Sequence, residues 1–147
     1  MTRFESDFFR KVKLTKSQIG GYLKNAYRDL TIAGKDSFVE VRFTYAYQAL
    51  IKGGIALIAT VRHVKVRAVP GHHIKILESV SEILRDPDIF TLGNAMRMKR
   101  NEDLYGDAGR VTETEAAEYL IFVKSVLGKI KERVGQTAKR KAVQEIQ

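Results

Sequence analysis

The chain has 147 residues, 44% of them hydrophobic, enough for one domain with a core of its own and no need of covalent staples. It contains no cysteine, which excludes disulfides, thiolate metal sites and cysteine nucleophiles. Twenty-six Lys and Arg face 17 Asp and Glu, a net charge of +9, and that balance suits a polyanionic partner such as RNA or else a basic but inert surface.

Residues 2 to 13 alternate charge with Phe4, Phe8 and Phe9, a spacing that fits a short helix on the body or an arm used in assembly. This stretch has no apolar segment of the kind a signal peptide needs. The longest apolar run, Gly53 to Val61, is too short to span a membrane. A cytoplasmic protein with no membrane partner is expected.

Thr15-Lys16-Ser17-Gln18 reads as a capping box, and Ile19, Tyr22, Leu23, Ala26, Tyr27 and Leu30 then mark one helix face. Gly34 is the expected stop. Asp36 or Ser37 should cap a long second helix that runs to about Val66, with Gly53-Gly54 permitting close helix approach. Val69-Pro70-Gly71 breaks the chain before a third helix that begins at His72-His73. Asp86-Pro87-Asp88 interrupts it, and a further helix from Ile89 to Leu104 ends at Gly106 and Gly109. A second capping box, Thr112 to Glu115, opens the last helix, for which Gly135 is the expected end. No segment alternates like a strand. The expectation is an all-α protein, a four- to five-helix up-down bundle over residues 1–134, with a basic, solvated tail at 135–147.

Two places could carry chemistry. Along the run Met96 to Gly106 and the turn before it, Asn94, Arg97, Asn101 and Tyr105 advance by three, four and four and so form one polar stripe. Arg100 lies about 140° round the helix from Tyr105. Arg97, Lys99 and Arg100 could hold phosphate, or could form salt bridges such as Lys99 to Asp103. His72 and His73 could supply a neutral base at a helix start, or could pack and cap there. Arg62, Lys65 and Arg67, at the end of the second helix, complement its dipole or face phosphate. Tyr45 and Tyr47 read as core and rim aromatics. No phosphate loop, nucleophile elbow or metal spacing occurs, so no cofactor and no metal are expected.

Several of these features together resemble the HEPN superfamily of small helical domains. They are Ala46-Tyr47-Gln48-Ala49-Leu50 in a long second helix, Arg67 with Pro70, Gly71, His72 and His73 in the linker, Arg97-Met98-Lys99-Arg100-Asn101 with Tyr105-Gly106, and the Thr-opened last helix with Ala116 and Ala117. The resemblance covers roughly residues 15 to 134. It implies a dimerising bundle, and often a metal-independent endoribonuclease of a toxin–antitoxin or defence module paired with a nucleotidyltransferase-like antitoxin. It makes Arg100, Asn101 and Tyr105 the catalytic candidates. Arg97, Lys99, Arg62, Lys65, Arg67, His72 and His73 become the RNA-binding candidates. The chain departs from the family signature in one respect: Tyr105 stands where a histidine is expected, and no histidine follows His73. A noncatalytic homodimer that binds RNA or a protein partner is therefore the alternative.

Overall fold

The computed structural model describes residues 3–105 and 111–146. Their order is α1 (Arg3–Phe8), β1 (Phe9–Arg10), α2 (Lys16–Lys35), α3 (Val39–Arg62), β2 (Lys65–Val66), α4 (His72–Leu84), α5 (Pro87–Tyr105) and α6 (Glu113–Ile146). The protein is an all-α bundle, with one minimal antiparallel ladder that pairs Phe9 with Val66 and Arg10 with Lys65.

Both capping boxes form. Thr15 Oγ1 accepts from the Gln18 N–H at 3.1 Å while Gln18 accepts from the Thr15 N–H at 2.8 Å. Thr112 and Glu115 exchange the same pair of bonds at the start of α6. Asp86 opens α5 by accepting from the Asp88 N–H, with Pro87 in the first turn where its missing N–H costs nothing.

The other helix ends differ from expectation. Gly34 lies inside the last turn of α2, which closes at Asp36 with an extended backbone. Asp36 accepts from the Phe38 N–H at 2.8 Å, so it turns the chain, and Phe38 takes the cap position of α3 without a side-chain bond. That helix ends at Arg62, four residues short of Val66, because His63 adopts a left-handed φ of 55°. The residues beyond it are drawn into the ladder with β1, and the Arg67 N–H donates to the Phe8 carbonyl at 2.7 Å. Gly135 does not stop α6. The helix continues through the basic tail, whose Ala, Lys, Arg and Gln residues are good helix formers. The stops expected at Gly106 and Gly109 lie outside the described residues.

The third helix is the axis of the fold, packed against α2, α4, α5 and α6. Its Phe43, Tyr47, Leu50, Leu57 and Ile58 are fully buried. Burial of such side chains stabilises the fold by about 1.5–3 kcal/mol each. Tyr27 Oη donates to the Leu127 carbonyl at 3.2 Å, tying α2 to α6. Among the described residues, no helix is long and apolar enough to cross a membrane.

Candidate anion-binding cleft

Three helices each bring one side chain to the same place. Tyr47 comes from the middle of α3, His73 from the first turn of α4 and Arg100 from near the end of α5. The turn before α4 needs a residue at φ 82°, which Gly71 supplies without steric cost and which aims the first turn of that helix. Tyr47 is 1% exposed, and its hydroxyl lies 2.9 Å from His73 Nδ1. The guanidinium of Arg100 lies over the Tyr47 ring, 5.4 Å from its centroid, in a cation–π arrangement. With Gln48, Ile51 and Lys52 these residues line a cleft of about 200 Å³.

The electrostatics follow from that packing. Burial pushes the Tyr47 phenol up to about 12, against the opposing pull of Arg100 and Arg97. It therefore stays protonated at any working pH. Burial, then the neighbouring His72, Arg100 and Arg97, push His73 down to about 4, so this imidazole is neutral near pH 7. A buried phenol needs an acceptor for its proton, and His73 Nδ1 is the partner it has. Donation to Nδ1 leaves the proton of His73 on Nε2. His72 has the opposite arrangement. Its Nδ1 lies 2.7 Å from the Val69 carbonyl, which can only accept, so Nδ1 carries a proton and Nε2 of the neutral ring is left with a lone pair. The two imidazoles meet edge to face at 4.4 Å. One thus offers a donor and the other an acceptor.

The remaining candidates divide. Arg97 is close enough to bias both Tyr47 and His73, and its Nε donates to Asn94 Oδ1 at 2.9 Å, within the expected stripe. Lys99 pairs with Glu115 of the α6 capping box and holds that carboxyl below its ordinary range, chiefly through their hydrogen bond. Arg62 pairs with Glu82 at 2.8 Å. Arg67 Nε donates to the Phe9 carbonyl, and Lys65 is exposed on β2. None of these four lines the cleft. Asn101 is exposed on α5, and the Tyr105 side chain lies outside the described residues.

Lys52, at the edge of the cleft, forms a 2.6 Å ion pair with Asp29, which is 4% exposed. The approach is close but off the line of a hydrogen bond, since Asp29 Oδ2 has no hydrogen-bond partner. Among the described residues, no three His, Asp or Glu side chains converge as metal ligands.

Sequence reasoning missed Tyr47, Gln48 and Lys52 as cleft residues. A signal for Tyr47 did exist: a tyrosine in place of phenylalanine on a buried helix face needs a partner for its hydroxyl. Comparisons with family models, with curated proteins and with solved structures return no match, so the functional reading rests on the geometry of the cleft and on the motif resemblance.

Proposed function

We propose that the cleft holds the RNA backbone and that the protein is a HEPN-like, metal-independent endoribonuclease working in the cytoplasm. The observation that carries this reading is that Arg100 and His73 line one cleft, although 27 positions separate them in the chain. The family signature places a histidine soon after the arginine, and His73 brings an imidazole to Arg100 from another helix.

The chemistry can be assigned to atoms. Arg100 and the Nε2–H of His73 donate to the phosphate oxygens and stabilise charge that develops on them. His72 Nε2 takes the proton of the 2′-hydroxyl, whose oxygen attacks the adjacent phosphorus. The bond from phosphorus to the 5′-oxygen breaks, and the proton on His72 passes to that leaving oxygen. The products are a 2′,3′-cyclic phosphate and a 5′-hydroxyl. Asn101 keeps the phosphate-positioning role that the resemblance implies, and Tyr105, which that resemblance puts in place of the signature histidine, is given no step in this scheme. Expected partners on this reading are a second copy of the chain and a nucleotidyltransferase-like antitoxin.

A second reading, binding without turnover, is favoured by one observation: His73 lines the cleft and His72 does not. Cleavage of single-stranded RNA in excess EDTA separates the two readings. Under the first, Arg100→Ala lowers the rate by about 10²–10³-fold, as loss of an oxyanion donor does elsewhere, and His72→Ala also removes cleavage. Under the second, wild type binds RNA with strong salt dependence and produces no cyclic phosphate. Cleavage that survives Arg100→Ala removes the cleft from the reaction.

A further inference from the structure

A second concavity, which shares no lining residue with the cleft, lies where the start of α2, the end of α3 and the tail of α6 meet. It encloses about 430 Å³, within the range of small-molecule sites. Its walls follow helical periods. Ile19, Gly20 and Leu23 come from α2, Ala59 and Thr60 from α3, and Val134, Ala138 and Ala142 from α6. Leu14 closes one side and is 7% exposed.

The polar groups present narrow the ligand. The hydroxyls of Thr60 and Thr137 donate back to the Ala56 and Arg133 carbonyls, so neither offers its proton to a ligand. The charged side chains in the lining are lysines: Lys13, Lys16 and Lys141, with His63 beside them. No carboxylate lines the groove, so nothing there suits a cation. An apolar trough rimmed by ammonium groups fits a molecule with a hydrocarbon tail and an anionic head.

We propose that this groove binds a single-chain anionic amphiphile, its tail lying between α2 and the tail of α6 and its head group meeting Lys16 and Lys141. Small residues on both helices make the room. A Cβ built at Gly20 meets nothing within 4 Å, so the trough is open at that point. The basic tail of the chain is then one wall of a ligand site, and its helical continuation past Gly135 is what builds that wall.

The test uses the full chain and dodecanoate, kept below its micelle concentration and followed by titration calorimetry at pH 7.5. Dodecyltrimethylammonium and dodecanol serve as controls. One-to-one binding of dodecanoate, with little or none of the cationic analogue, is expected. Gly20→Leu places a side chain at the trough, its Cβ meeting no atom within 4 Å, and should abolish binding without altering the circular dichroism spectrum or lowering the melting temperature. Lys16→Gln with Lys141→Gln should weaken it about tenfold, the scale of a lost charge-assisted contact. Equal uptake of the cationic and anionic chains, or dodecanoate binding that Gly20→Leu leaves unchanged, overturns the proposal. So does absence of dodecanoate binding combined with saturable binding of an acidic amphipathic peptide, which would make the groove a protein-docking site. RNA cleavage is not read in this experiment, so its outcome is independent of the cleft.

Discussion

Lowering the pH should expose the cost of holding His73 neutral. Its folded-state pKa is about 4 against an ordinary value of 6.5. Between those values the unfolded chain takes up a proton that the folded chain refuses. The stability contributed by His73 is thus complete above pH 6.5 and is lost as pH falls toward 4. A gap of about 2.5 units at 1.36 kcal/mol per unit sets a ceiling of about 3.4 kcal/mol. The ring is only half-buried, and solvent screening reduces the expected loss to about 1–2 kcal/mol. Urea unfolding at pH 7.5, 5.5 and 4.5 measures it, with His73→Gln as the reference that cannot titrate. The wild type should lose about 1–2 kcal/mol more than the variant across that interval. Glu115 also titrates to the protein's cost, but its carboxyl lies below its ordinary value of 4.5, so its window falls at lower pH. Parallel stability curves for wild type and His73→Gln would refute the account of a desolvated imidazole beside Arg100.

Tyr47→Phe deletes the donor to His73 Nδ1 and should cost about 1–2 kcal/mol in urea unfolding; nitrogen-15 shifts of the His73 ring should move from the Nε2–H tautomer toward a mixture. Lys52→Met strands the Asp29 carboxylate and should cost about 2–4 kcal/mol, whereas Asp29→Leu combined with Lys52→Met should recover most of that loss. In Gly54→Ala the new methyl group meets the branched side chains of Ile76 and Val80 at 2.7 and 3.0 Å, and a loss of about 1–3 kcal/mol is expected by thermal unfolding. Gly21→Ala, with open space around it, should instead stabilise the protein by about 0.5–1 kcal/mol.

What the sequence disclosed was local. Thr15 with Gln18 and Thr112 with Glu115 announce helix starts because a hydroxyl and a carboxyl or amide three residues on can satisfy each other's backbone. The stripe from Ile19 to Leu30 announces a buried face for the same reason of period. The two-residue strands gave no alternation to detect, since their pairing depends on the chain after His63 returning to Phe9. Gly135 looked like an end because glycine is the commonest terminator. Yet a glycine inside a helix costs only about 1 kcal/mol, and the residues that follow favour continuation. The cleft was half legible. Arg100 and His73 stood out as chemistry-bearing residues, but their meeting depends on how α4 and α5 pack on α3, which no local spacing encodes.

That packing has a regular construction. Gly54 admits Ile76 and Val80 of α4 against the backbone of α3, and Gly93 admits Leu77 of α4 against α5. Each site residue sits a whole number of turns from one of these contacts. Tyr47 is seven residues before Gly54 and Arg100 is seven after Gly93, two turns or about 10 Å in each case. His73 is three and four residues before Ile76 and Leu77, one turn away. Side chains at such intervals share a helix face, so the faces that bury the aliphatic core also aim the phenol, the imidazole and the guanidinium at one another. The glycines that weaken their helices locally therefore set the spacing of α3, α4 and α5 on which the 2.9 Å contact between Tyr47 and His73 depends. An added methyl group at Gly54 would spread α3 from α4 and lengthen that contact first, before it disturbed Arg100 on α5. Stability and the geometry of the cleft are for this reason coupled through the same two close approaches, and the cleft cannot be loosened independently of the core.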